Sequence, residues 1–222
     1  FSRKRAQALA EELWEFNFLS DDEARQMEGK FNALCERFDI AGEPSVEEIR
    51  PLIRRGIAYH HAGMLPTVKE AVEQLFTSRL IKVIFTTETF ALGINMPART
   101  VVFDELRKFY GRKFDTLRTR DFYQMAGRAG RRSIDTEGFV YCRLNPHYIS
   151  SEEVFRVVNG RPEKIFSQFS ASYATILNLY RTHKERLYEI YPRSFHFFQT
   201  GKMARVRAVE RMRSRVNILK EM

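Results

Sequence analysis

From Gly56 to Leu144 the chain repeats one grammar: a short apolar run, a loop, then a segment whose apolar residues recur at helical spacing. The runs are Gly56 to Tyr59, Ile81 to Phe85, Val101 to Phe103 and Gly138 to Leu144, with helices expected over Pro66 to Ser78 and Thr119 to Arg131. Strands separated by helices in this way read as an open α/β sheet with parallel strands. Ile81 to Phe85 is apolar apart from Lys82 and is expected to be a strand buried on both faces. After Thr86-Thr-Glu-Thr89 a short turn of helix is expected, stopped by Gly93 and Pro97. Ligands of such sheets gather at the carboxyl ends of the strands. That directs attention to 60–63 and 86–89, and to the helix carrying 124–131.

The flanks read differently. Ser2 is placed to cap an amphipathic helix from Arg3 to Phe16, with Ala6, Leu9, Ala10, Leu13 and Trp14 on one face. Residues 20–55 form an acidic helical excursion, capped by Ser20 or Asp21, carrying the apolar stripe Phe31, Leu34, Cys35 and Phe38, and broken at Gly42 and Pro44. Nineteen Phe and nine Tyr among 222 residues are enough to build a real core, which excludes a disordered chain. Cys35 and Cys142 are the two cysteines and are expected to be buried free thiols, which favours a reducing intracellular compartment. No apolar run approaches the roughly 18 residues that span a bilayer. The chain opens on Phe1 and stops at Met222 within a helical pattern, so it is expected to be part of something longer.

The formal charge of +9 is unevenly spread. Residues 1–50 hold seven Lys/Arg against twelve Asp/Glu, a net of −5; Arg99 to Arg132 and Lys202 to Lys220 each carry a net of +6. Clustered positive charge is the footprint of a nucleic-acid partner, although a solvated helix face fits the same count.

Three constellations could carry chemistry. On a continuous helix Gln124, Arg128 and Arg131 stand at i, i+4 and i+7, one stripe of an amide and two guanidinium groups, with Phe122 and Met125 on another face. Guanidinium forks suit phosphate oxygens, and glycines at 127 and 130 suggest close approach of a backbone or ligand. Hydroxyls at 86, 87 and 89, ahead of a helix amino end, suit a phosphate backbone or an ordinary cap. His60-His61 invites a metal, but no cluster of further ligands accompanies it, and packing is the preferred reading.

In this order and spacing, Phe1-Ser-Arg-Lys, His60-His-Ala-Gly-Met64, Thr86 to Ala98 and Gln124-Met-Ala-Gly-Arg-Ala-Gly-Arg131 resemble motifs IV, IVa, V and VI of superfamily-two DExH-box helicases. The similarity is closest to the Ski-like branch of exosome-associated RNA helicases. It extends to Arg107-Lys-Phe-Tyr-Gly111, Ile176-Leu-Asn-Leu and Phe195-His-Phe-Phe-Gln199. The resemblance implies a RecA-like parallel sheet sandwiched by helices over 1–148, the start of a winged-helix region over 149–200, and in 201–222 a basic helix opening an arch or connector.

The same resemblance implies roles. Arg131 is placed as the arginine finger, Arg128 as its phosphate-contacting partner and Gln124 as the motif VI glutamine. Gly93 and Asn95 are placed at the nucleotide. Thr87 and Thr89 are placed on the nucleic-acid backbone, with Ser2 and Gly63 as weaker candidates. ATP and Mg2+ would be bound mainly by a first RecA-like lobe, since the sequence contains neither G-x-x-x-x-G-K-[ST] nor a DExH tetrapeptide; alone the chain is expected to be inactive. Partners implied are single-stranded RNA, or DNA, the first lobe and RNA-decay machinery, in the cytoplasm or nucleus, with no membrane. A DNA helicase of the same branch and a non-catalytic nucleic-acid-binding lobe are the alternatives. Ser133 departs from the glycine many relatives carry, a change expected to matter little.

Overall fold

The computed structural model describes residues 2–88, 96–167, 169, 172–199 and 202–221. They fall into two compact units, the first ending at Glu163 and the second beginning at Lys164.

The first unit opens with α1 (Arg3–Glu12), capped by Ser2, whose Oγ accepts the Arg5 N–H at 3.2 Å. Ala6 and Ala10 are its buried positions. In α2 (Asp21–Arg37) Ser20 caps and Glu23 returns the bond to the Ser20 N–H, a reciprocal arrangement that satisfies two otherwise orphaned donors. Met27, Phe31 and Cys35 form its buried stripe, with Leu34 and Phe38 packed beside them. After the break at Gly42 the chain re-enters helix at Pro44, as α3 (Pro44–Ile53). Proline is tolerated there because the first turn needs no amide donor.

β1 (Ile57–His60), α4 (Pro66–Thr77) and β2 (Val83–Thr86) form a strand-helix-strand unit with β1 and β2 parallel, Ile57 opposite Val83 and His60 opposite Thr86. β1 is buried along its whole length, enclosed by α1, α3 and α4. β2 is only half-buried, which corrects the expectation of a strand covered on both faces.

A second parallel pair joins β3 (Thr100–Phe103) to β6 (Phe139–Cys142). Between them lie the antiparallel hairpin of β4 (Arg107–Phe109) and β5 (Phe114–Thr116), then α5 (Thr119–Ala126). The hairpin is an element that the strand-helix grammar does not predict. α6 (Ser151–Asn159) packs on α5, and Phe103, Leu106, Leu117, Phe122, Ile149 and Val157 make their shared core. The compact unit therefore runs past residue 148. Neither thiol is bonded; Cys35 is buried as expected but Cys142 is half-buried, and burial pushes both pKa values upward.

The second unit is helical: α7 (Tyr173–His183), α8 (Leu187–Ile190), α9 (Phe195–Gln199) and α10 (Lys202–Glu221), with short 3-10 turns around α8. Ile176 and Leu187 pack against Ala208, Met212 and Val216, which recur every four residues along α10. Val206, on the same helix, is 49% exposed.

Candidate functional site

The expected helix Thr119 to Arg131 stops at Ala126, with Gly127 as its C-cap. Gln124, Arg128 and Arg131 therefore do not form one helical stripe. Gln124 is exposed on α5, while Arg128 and Arg131 lie on the loop beyond it. That loop is pinned by backbone bonds to Ala98, just ahead of β3: the Ala98 N–H donates to the Arg128 carbonyl at 2.9 Å and the Gly130 N–H to the Ala98 carbonyl at 2.8 Å. The two glycines thus serve a turn rather than a helix. Gly130 has φ +87°, and a Cβ on Gly138 would lie 2.6 Å from the carbonyl carbon of Ala129 and the amide nitrogen of Gly130. Close backbone approach, one of the expectations at Gly130, is what the fold uses.

Arg131 is held by a residue that motif reading passed over. Its Nε donates to Asp135 Oδ2 at 2.7 Å, its Nη2 to Asp135 Oδ1 at 2.7 Å, and its own backbone N–H to Oδ2 at 2.9 Å. The Asp135 side chain is 8% exposed. The Arg131 guanidinium holds that carboxyl down at about 2. The i, i+4 spacing of the pair was visible in the sequence, but the expected helix ended at its first member. Ser133, midway, has φ +62°. This left-handed conformation favours glycine and strains a residue with a Cβ, so the departure at 133 is not neutral.

α5 is positioned by long-range polar contacts. Glu163 accepts the Thr119 and Arg120 N–H groups, each at 3.0 Å, and so caps the helix from 43 and 44 residues away. Thr119 Oγ1 donates to the Arg156 carbonyl and Tyr123 Oη to the Val158 carbonyl, both on α6. On the opposite side Lys108 Nζ, from β4, reaches Glu88 at 2.7 Å and Asp121 of α5 at 3.1 Å. Tyr110 donates to the same Asp121 at 3.0 Å. Burial pulls the Lys108 pKa down, but the two carboxylates outweigh it and hold the ammonium charged. These contacts tie the segment after β2 to α5 through the hairpin, whose tip leaves Phe109 and Phe114 exposed.

Of the remaining candidates, Gly63 and Thr87 follow the carboxyl ends of β1 and β2, and Ser2 precedes α1. The Thr87 N–H donates to the His60 carbonyl at 3.1 Å, and a Cβ on Gly63 would come within 3.0 Å of Arg3 Cδ, next to Ser2. Thr89, Gly93 and Asn95 lie outside the described residues. His60 and His61 are both buried: His60 Nε2 pairs with Glu73 at 2.8 Å, and His61 stacks on Tyr59 while its Nδ1 accepts the Gly63 N–H. Burial lowers both histidine pKa values, which keeps the rings neutral. Among the described residues no cluster of three metal-ligating side chains occurs, and no helix is long and apolar enough to cross a membrane.

An arginine loop bonded to Ala98 and the polar carboxyl end of the β1–β2 pair lie on one α/β unit. Residues 16–133 match the helicase conserved C-terminal domain, and the chain belongs to that family. It is 39% identical to the human exosome RNA helicase MTR4 over 201 residues, 90% of this chain and 19% of that protein. It is 43% identical to mouse superkiller complex protein 2 over 180 residues, covering 80% and 14%, and 40% identical to the Saccharomyces cerevisiae antiviral helicase SKI2 over 197 residues, covering 88% and 15%. The chain thus spans less than a fifth of the length of each of these three relatives.

Proposed function

We propose that this chain is the C-terminal motor lobe of an ATP-dependent RNA helicase acting in RNA processing or decay. The observation that carries the reading is Arg131: a charged guanidinium held by Asp135 on a loop bonded to Ala98, on a lobe whose other phosphate-suited groups lie at the ends of β1 and β2. Binding a strand alone has no use for a second, separately anchored arginine loop. Arg131 acts as the finger on the γ-phosphate of ATP, Arg128 as its partner, and Gln124 beside them. ATP, bound with Mg2+ mainly on a first RecA-like lobe, supplies the phosphoryl charge that the arginines meet. Because those charge-assisted bonds exist only with the lobes together, they favour closure, and their loss on hydrolysis lets the lobes part.

Ser2, Gly63, Thr87 and Thr89 contact the strand backbone, and Gly93 and Asn95 meet the nucleotide, in the roles the family implies. The division at 148 and 200 into a RecA-like lobe, a winged-helix start and a connector is part of the same proposal, as are an intracellular setting and RNA-decay partners. The sequence holds no phosphate loop, so the chain alone is expected to be silent. The test is the ATPase rate of the full-length protein with no nucleic acid, with single-stranded RNA and with single-stranded DNA, beside the 222-residue chain. RNA-dependent turnover abolished by Arg131→Ala supports the reading; equal stimulation by DNA, or turnover indifferent to that substitution, overturns it.

A further inference from the structure

The carboxylate of Asp135 has no place in the chemistry described so far, yet it takes three hydrogen bonds from a single residue. We propose that Asp135 is a positioning residue for the finger: it orients the Arg131 guanidinium so that its terminal edge faces the transferring phosphoryl group. The inference rests on the finger role of Arg131.

A guanidinium carries five N–H donors in a rigid planar fork. Asp135 engages Nε and Nη2, the side edge, at 2.7 Å each. This leaves three donors, one each from Nη1 and Nη2 on the end edge and the second of Nη1 on the far side, and among the described residues no hydrogen bond reaches Nη1. The side chain is 29% exposed, so it is not sealed in the core. A carboxylate whose purpose was to park the finger would take the end edge and compete with phosphate; this one takes the side edge and leaves the competing donors open.

The same carboxylate also binds the Arg131 backbone N–H at 2.9 Å, while the Asp135 N–H returns a bond to the Arg131 carbonyl at 2.9 Å. Main chain and side-chain head of Arg131 are thus referred to one rigid group. Ordering the long side chain before the phosphate arrives removes that cost from the reacting complex, and small errors in such placement are expensive in rate. Asp135 stays ionised far below neutrality, so the arrangement persists at any working pH.

A purely structural carboxylate would also weaken the loop on removal, so the test is a double-mutant cycle in the full-length protein, read as RNA-stimulated kcat and KM for ATP. Asp135→Ala is expected to lower kcat by about 10- to 100-fold with little change in KM. Adding it to Arg131→Ala is expected to cost nothing more, and Asp135→Asn, which keeps an acceptor, to recover part of the rate. If the two losses multiply, or if Asp135→Ala turns over faster, the proposal is overturned. Should Asp135→Ala fail to fold by thermal unfolding, the cycle is run with Asp135→Asn, where full wild-type kcat overturns it and a loss absent from the Arg131→Ala background supports it. If Arg131→Ala itself leaves kcat unchanged, the finger role fails first, a result the single mutant distinguishes.

Discussion

The two parallel strand pairs of the first unit share a plan and end in different states. Every residue of β1 is buried, and Phe31, Met27, Ile49, Ile53 and Leu75 close around it without reaching solvent. On β3 and β6, by contrast, Val102 is 62% and Tyr141 59% exposed. The first pair is held by apolar burial, which is non-directional and proportional to area. Around the second, directed polar bonds stand beside a smaller apolar core of Phe103, Leu106, Leu117 and Phe122: Glu163 on the α5 amides, Lys108 between Glu88 and Asp121, and Asp135 on Arg131. The arginine loop lies in the second region. Hydrogen bonds fix orientation in a way that apolar contact does not, and the finger role proposed for Arg131 needs orientation.

The contrast should break most sharply at the core. Phe31→Ala is expected to cost about 3–5 kcal/mol in urea unfolding, and Tyr141→Ala under about 0.5 kcal/mol; comparable losses would mean that the two pairs are not held differently. Gly138→Ala, which forces a Cβ to 2.6 Å from backbone atoms, is expected to cost about 1–3 kcal/mol although no apolar contact is lost. An unaffected midpoint would show that the loop is loosely held.

Glu163→Ala is expected to cost about 1 kcal/mol, the usual worth of a helix cap. Burial raises the Glu163 pKa, but the Arg120 and Thr119 amides outweigh it and leave the carboxyl below its usual 4.5. Its contribution is therefore full above about pH 4.5 and fades as the pH falls through the lowered value. Stability measured between pH 5 and 3 should accordingly fall less steeply in Glu163→Gln than in wild type, and equal slopes would remove the carboxylate from the cap. The smallest effect expected is a gain: Ser133→Gly relieves a left-handed residue and should stabilise by about 0.5 kcal/mol, after the extra freedom of glycine in the unfolded chain is counted. A loss would mean that Ser133 earns its place through its hydroxyl.

Local pattern accounts for what was legible. Ser2 and Ser20 cap where expected, Phe31 and Cys35 point inward, and β1, α4, β2, β3 and β6 all appear near their expected positions. Caps, periodicity and apolar runs act over a few residues, so a chain read in order displays them. The same reasoning carried the helix through Gly127 to Arg131 and failed there, because the loop is set by backbone bonds to Ala98 and by the close backbone packing of the returning chain at Gly138. Helical spacing placed Gln124, Arg128 and Arg131 on one helix, whereas the two arginines lie on the loop beyond α5.

By itself, then, the sequence determined the α/β grammar, the capped helices and the identity of the charged groups, since each depends on neighbours close along the chain. Tertiary structure alone decided which carboxylate serves which cation and which way Arg131 faces. Asp135 acts across a left-handed turn, Glu163 across 43 residues and Lys108 between two segments of the fold. Ion pairing depends on distances that only the folded chain sets.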